Sequence, residues 1–265
     1  MNYFAFALRR LSYSLARMKQ FWIFAVVVLS LISAAQAQPP TTPTNAVPPP
    51  LEWGPGVKVL MIGGTWAHNY AMWDNKFDTE LLAKMGITSV HYTESPVVAA
   101  NELPHADVLI LSCNGDFDEL PFRLAVTNFI NAGKGLVLLH SGSFYAGKWK
   151  EFYTEYVGGG AHDHDGPSLF DETVVKDHPV VQGLPKTFKI TDELYHIVPE
   201  PGATPMDVLA YASRSGGGQK YPSVWIVPYG KARIVSIALG HDGYPRQTPE
   251  FSMLLTNAVK WASTP

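Results

Sequence analysis

Five histidines stand where an apolar run gives way to a Gly- or Asp-containing loop: His68, His140, His162, His164 and His241. Imidazole titrates near neutral pH and binds divalent metals, so clustered His suits general acid/base work or a metal centre. His140 closes Leu136-Val137-Leu138-Leu139 and is followed by Ser141-Gly142-Ser143. It reads as a ligand or general base. Ser141 reads as a substrate contact, and a nucleophile at Ser141 or Ser143 stays open, although G-x-S-x-G is absent. His241 follows Leu239-Gly240, and Asp242 beside it could orient the ring or move a proton itself. Asp192-Glu193-Leu194-Tyr195-His196 adds two carboxylates and a phenol. If extended, it puts Glu193 and Tyr195 on one face and Asp192, Leu194 and His196 on the other. Glu193 is then a candidate acid/base for a sugar hydroxyl and Tyr195 a substrate contact.

Two further segments complete the candidates. Thr65-Trp66-Ala67-His68-Asn69-Tyr70 follows the first apolar strand pattern. His68 precedes a helix, where amides favour a hydroxyl-rich or anionic ligand, and Trp66 and Tyr70 could stack on a sugar, with Tyr145 as a further platform. The plainer alternative is a capping loop with aromatics packed under it. Ala161-His162-Asp163-His164-Asp165 is the densest polar cluster. In a loop, His162 and His164 could share a Zn-type divalent ion; a solvated surface loop is the alternative. His178, before Pro179, reads as a turn residue, and His91 and His105 have no supporting context.

These groups need elements to position them. Val57–Ile62, Ile87–Tyr92, Asp107–Ser112 and Leu136–Leu139 read as strands, the first and last nearly all apolar, as in a sheet covered on both faces. Asn69–Met85 and Pro121–Ala132 carry helical spacing, and Asn114-Gly115-Asp116 reads as a loop. Alternating strand and helix implies a mostly parallel, doubly wound α/β sheet, whose ligand crevice lies beyond the carboxyl ends of the strands. After Gly158-Gly159-Gly160 the rhythm changes. Phe170–Val175, Phe188–Ile190, Val208–Ala212, Ser223–Val227 and Ile234–Ala238 are short strands, read as an antiparallel extension of the C-terminal half, and Pro249–Trp261 is a closing helix.

The N-terminus concerns location. Arg17-Met18-Lys19-Gln20, an apolar run over Phe21–Ile32 and Ala35-Gln36-Ala37 read as a secretory signal over residues 1–37, cleaved after Ala37. Met18 alone would begin a signal of ordinary length. The run falls short of the roughly 20 residues that span a bilayer, so membrane contact is expected only through this segment if it is uncleaved. A Pro/Thr-rich linker over 38–52 and one α/β domain over 53–265 follow. The expected location is periplasmic or secreted. With a formal charge of −3 and no Lys/Arg cluster in the mature part, nucleic acid is not an expected partner. The single cysteine, Cys113, excludes an internal disulfide and reads as a buried strand-end residue.

Together the motifs resemble the trehalose-utilisation (ThuA-like) family from Val57 to Trp261. The resemblance rests on Gly135-Leu136-Val137-Leu138-Leu139-His140-Ser141-Gly142, Asp177-His178-Pro179-Val180-Val181-Gln182-Gly183-Leu184-Pro185, Asp192-Glu193-Leu194-Tyr195, Pro222-Ser223-Val224-Trp225 with Tyr229-Gly230-Lys231-Ala232-Arg233, and Leu239-Gly240-His241-Asp242. It implies a flavodoxin-like, class I glutamine-amidotransferase-like fold and a small-molecule carbohydrate partner, often an oxidised (keto) glucoside. It also implies a His where amidotransferases keep the catalytic Cys; His140 fits, so glutaminase chemistry is not expected. Two functions remain: a sugar-active enzyme or a carbohydrate-binding module.

Overall fold

The computed structural model describes residues 49–115 and 119–264. The signal segment, most of the linker and Asp116 lie outside the described residues. Folded contacts begin before the expected boundary at residue 53. The Leu51 N–H and the Trp53 indole both donate to the buried Glu102 carboxylate, at 3.0 Å each. No helix among the described residues is long and apolar enough to cross a membrane.

The N-terminal half runs β1 (Lys58–Ile62), a wide helical segment Ala71–Asp78 continuing into α1 (Thr79–Lys84), β2 (Ser89–Thr93), α2 (Pro96–Glu102), β3 (Val108–Leu111), α3 (Leu120–Asn131) and β4 (Gly135–Leu139). The C-terminal half adds α4 (Lys150–Phe152), β5 (Gly159–Val174), β6 (Thr187–Pro199), β7 (Asp207–Arg214), β8 (Lys220–Tyr229), β9 (Ala232–Ile237), α5 (Gly243–Arg246) and α6 (Pro249–Ala262). One nine-stranded sheet results, in the order β2-β1-β3-β4-β9-β8-β7-β5-β6. β2 to β9 pair in parallel across that order, and every pair from β9 onward is antiparallel. The parallel core with an antiparallel C-terminal extension is thus as the strand pattern implied.

Period-two alternation in a sheet covered on both faces explains why β3, β4 and, after Lys58, β1 carry no polar side chain. Leu60, Leu109 and Leu136 point to one face with Phe122 and Phe129 of α3; Val59, Ile110 and Val137 point to the other, with Leu82 of α1 and Phe251, Leu254 and Val259 of α6. Each such burial contributes roughly 1.5–3 kcal/mol before entropy is counted. The Thr248 hydroxyl accepts from the Phe251 N–H at 3.2 Å and starts α6. Cys113 is buried just past β3, as expected. His178 is a turn residue: its Nδ1 accepts from the Val180 N–H at 3.2 Å.

Two expectations differ from what is observed. The His162–Asp165 stretch is strand, part of the 16-residue β5. β6 runs 13 residues where only Phe188–Ile190 reads as strand in the sequence. Both carry Asp, Glu and His at positions that strand propensity disfavours. Tertiary pairing overrides that preference, because β6 is needed to reach the ends of the parallel strands.

Candidate active site

The site is built at the carboxyl ends of β1, β4 and β9, with β6 laid across them. His140 is the first residue past β4, at a φ of +46°, and Ala67 has φ of +73°. Among the described residues these are the only non-glycines at positive φ, and both stand at this site. Such backbone persists where the surroundings over-determine it. Gly142 is one reason the turn is possible, since a Cβ there would lie 2.1 Å from the Leu111 carbonyl oxygen.

His140 is buried, and its Nδ1 lies 2.9 Å from the Ala238 carbonyl oxygen. A carbonyl only accepts, so Nδ1 carries a proton, and in the neutral ring Nε2 is left as a lone pair. That Nε2 sits 2.9 Å from the Tyr195 hydroxyl, 3.2 Å from His68 Nε2 and 3.5 Å from Glu193 Oε2. His68 is fixed by a longer relay. The Ser141 hydroxyl donates to the Ser112 carbonyl at 2.6 Å. Its oxygen is therefore free to accept from the Tyr70 hydroxyl at 3.0 Å. The Tyr70 oxygen then accepts from His68 Nδ1 at 3.2 Å.

His241 enters from the turn after β9. Gly240, at φ +122°, turns the chain there. The buried Asp192 holds this turn: its carboxylate accepts from the N–H groups of Gly240 (2.7 Å), His241 (3.1 Å) and Glu193 (2.8 Å). β6 is thereby pinned against the end of β9. Alternation along β6 aims Glu193 and Tyr195 at the site and Leu194 into the opposite core, as the extended reading required. His241 Nδ1 lies 3.2 Å from Glu193 Oε2, yet this buried nitrogen has no hydrogen bond.

The electrostatics follow from burial and crowding. Burial, then the neighbouring His140 and His241, lowers His68 to about 3. Burial alone would raise Glu193, but its contacts with His140 and His241 reverse this and hold the carboxyl far below its usual range. Pairing with Glu193 raises His241. Burial pushes the Tyr195 phenol far up, so it keeps its proton. Four groups, His68, His140, His241 and Glu193, each offer one atom within 4.8 Å of the others, a set that could hold a metal ion. Above them opens a cleft of about 230 Å³ walled by Trp66, Phe144, His164 and Tyr195. It is smaller than the roughly 300–1,000 Å³ of drug-sized sites.

Several sequence candidates land elsewhere. The Asp242 carboxylate accepts from the Tyr244 N–H at 2.8 Å and caps α5, instead of orienting His241. His162 and His164 do not share a focus. A register shift in β5 between Ala161 and His164 separates them. His162 turns to Glu200 and packs on Tyr145, whereas His164 lines the cleft with Nδ1 3.6 Å from Glu193 Oε1. Tyr145 therefore packs against His162 and does not line the cleft. Tyr70 is buried and cannot stack on a ligand; its hydroxyl serves His68. Ser141 and Ser143 both donate to carbonyl oxygens, of Ser112 and His140, and not to an imidazole as a serine nucleophile would; Ser141 nevertheless lines the cleft. His196 stacks on Tyr221, away from the centre. Trp66, 60% exposed, keeps its place at the cleft mouth.

Other groups escaped the sequence reading. Asp192 sits in a recognised motif, but nothing local shows that three N–H groups converge on it. Arg246 lies beneath the site, its guanidinium shared between Asp74 (2.7 Å) and Asp78 and donating to the Gly240 carbonyl at 2.8–3.0 Å. Asp78 is 168 residues away in sequence, so no spacing could reveal the pair.

Comparison with known proteins follows the same lines. The ThuA family model, described as trehalose utilisation, matches residues 58–262. A ThuA-like protein of known structure from Parabacteroides merdae is 25% identical with a TM-score of 0.69, covering 78% of this chain and 90% of that one. Another, from Bacteroides uniformis, is 20% identical with a TM-score of 0.66, covering 82% and 95%. A glutamine amidotransferase from Thermotoga maritima, 12% identical with a TM-score of 0.50 over 79% of this chain and 99% of that one, shares the fold. No curated protein matches the sequence. With the match spanning nearly the whole described domain, the chain belongs to the ThuA, or trehalose-utilisation, family, whose role is tied to carbohydrate use.

Proposed function

We propose that this chain is an exported enzyme that acts on a sugar or keto-sugar of about one ring in the cleft above His140. The observation that carries the reading is the convergence of three imidazoles, one carboxylate and one phenol from four separate segments at the base of a small, aromatic-walled cleft. Glu193 is the proton acceptor and Tyr195, next to His140, the proton-holding donor, an acid/base pair within one site. His164 and Trp66 border the substrate. Isomerisation, hydration or lyase-type cleavage of a carbonyl-bearing sugar each use such a pair. Glutaminase chemistry is not part of the reading: the turn after β4 presents an imidazole, and the only cysteine is buried past β3. The leader pattern supports work outside the cytoplasm.

Turnover of glucosides and 3-keto-glucosides by the full chain tests this. His140→Ala, His241→Ala and Glu193→Gln should each lower kcat/KM by roughly 10²–10⁴ with the melting temperature nearly unchanged. Saturable sugar binding without turnover in the wild type would replace the enzyme by a binding module. Variants that simply unfold would make these residues core elements.

A further inference from the structure

We infer that His68, His140, His241 and Glu193 form a binding site for one divalent metal ion of the zinc class. The argument starts from where the ring protons are. His140 Nδ1 donates to the Ala238 carbonyl at 2.9 Å, so in the neutral ring its Nε2 carries no proton and is an acceptor, shared with the Tyr195 hydroxyl at 2.9 Å. The relay from the Ser112 carbonyl back through Ser141 and Tyr70 places the His68 proton on Nδ1 and leaves its Nε2 without one as well. These two lone pairs face each other at 3.2 Å. That contact is repulsive unless something positive lies between them. Glu193 Oε2 adds a negative charge 3.5 Å from His140 Nε2. His241 Nδ1, 3.2 Å from the same oxygen, is buried without a hydrogen bond.

Donors bonded to a tetrahedral ion at roughly 2.0–2.2 Å lie about 3.3 Å apart. Of the six donor pairs here, three stand at 3.2, 3.2 and 3.5 Å and the others within 4.8 Å, so a small inward movement of the side chains would complete the shell. Three imidazoles and one carboxylate suit zinc and its neighbours rather than magnesium or calcium, which favour oxygen. Metal-binding His rings are usually oriented by a hydrogen bond from the other ring nitrogen. The Ala238 carbonyl and the Tyr70 hydroxyl do this for His140 and His68. His68, Glu193 and His241 also line the cleft, so an added ligand can approach the ion from there. The inference deepens the sugar reading of this pocket: the ion would take a carbonyl or hydroxyl oxygen of the substrate.

The test uses the full chain made without a polyhistidine tag, stripped with chelator and titrated with Zn²⁺ and Co²⁺. We expect one ion per chain, a visible Co²⁺ absorption band, and a rise in melting temperature with Zn²⁺. His68→Gln and Glu193→Gln should weaken binding by roughly a hundredfold or more, and Tyr70→Phe, which frees the His68 tautomer, by roughly 10–100-fold. His162→Gln should leave it unchanged. The inference is overturned if stripped, folded protein takes up no ion below millimolar concentration. It is equally overturned if His162→Gln abolishes uptake, or if a strongly deshielded N–H proton shows that His68 and His140 share a proton only. Sugar turnover by metal-free protein would sink the metal and spare the sugar reading; stoichiometric metal with no activity on any sugar would do the reverse.

Discussion

Two buried polar clusters meet back to back at Gly240, whose N–H goes to Asp192 on one side and whose carbonyl accepts from Arg246 on the other. The lower cluster, Arg246 with Asp74 and Asp78, pairs its charges internally, although one oxygen of each aspartate has no hydrogen bond. Every guanidinium nitrogen has a carboxylate or carbonyl partner, and burial raises both aspartates against the pull of Arg246. The upper cluster is open. His68 and His140 turn lone pairs toward each other, His241 Nδ1 faces Glu193 without a hydrogen bond, and the cleft lies above. Similar burial thus has opposite consequences. Charges that complete one another hold a turn in place, whereas donors left facing a common point are prepared for something that arrives.

That contrast can be broken most sharply at Arg246. Arg246→Leu leaves two carboxylates buried without a counter-charge and should cost roughly 3–5 kcal/mol in denaturant unfolding. His241→Ala, in the open cluster, should move stability by under about 1 kcal/mol. Comparable losses from both would erase the distinction. Glu172 sharpens it next. Burial raises this carboxyl from 4.5 to about 8, its Oε2 accepts from Ser223 at 2.6 Å, and its other oxygen has no partner. A carboxyl raised in the folded state favours folding most below its unfolded value and loses that contribution as pH rises through the folded one. The contribution of Glu172 to stability should therefore decline between pH 4.5 and about 8. Glu172→Gln should flatten that decline, a difference on the order of 1–3 kcal/mol; parallel pH profiles of the two proteins would refute it. The smallest effect belongs to Asp242. As a cap on α5, Asp242→Ala should cost about 1 kcal/mol and spare kcat. A hundredfold fall in kcat at unchanged stability would return Asp242 to the catalytic centre.

Much of the site was legible because strand periodicity carries it. The apolar run ending at His140, and the alternation that puts Glu193 and Tyr195 on one face, are local patterns with a fixed period. The turn glycine before His241 is local too. His162 and His164 misled for a related reason: a register shift inside β5 is set by its partner strand, and no periodicity within the segment announces it. Asp242 misled because a carboxylate beside an imidazole looks the same in sequence whether it faces the ring or the next N–H.

The amino-acid sequence by itself determined the layered α/β architecture, the family and the groups able to do chemistry, since these follow from side-chain type and short-range period. Tertiary structure alone decided which of those groups share a point in space. Asp192 gathering three N–H groups, Arg246 reaching back to Asp74 and Asp78, and the carbonyls that fix two histidine tautomers all join residues far apart along the chain. Such contacts depend on how the sheet folds across itself, which no local pattern encodes.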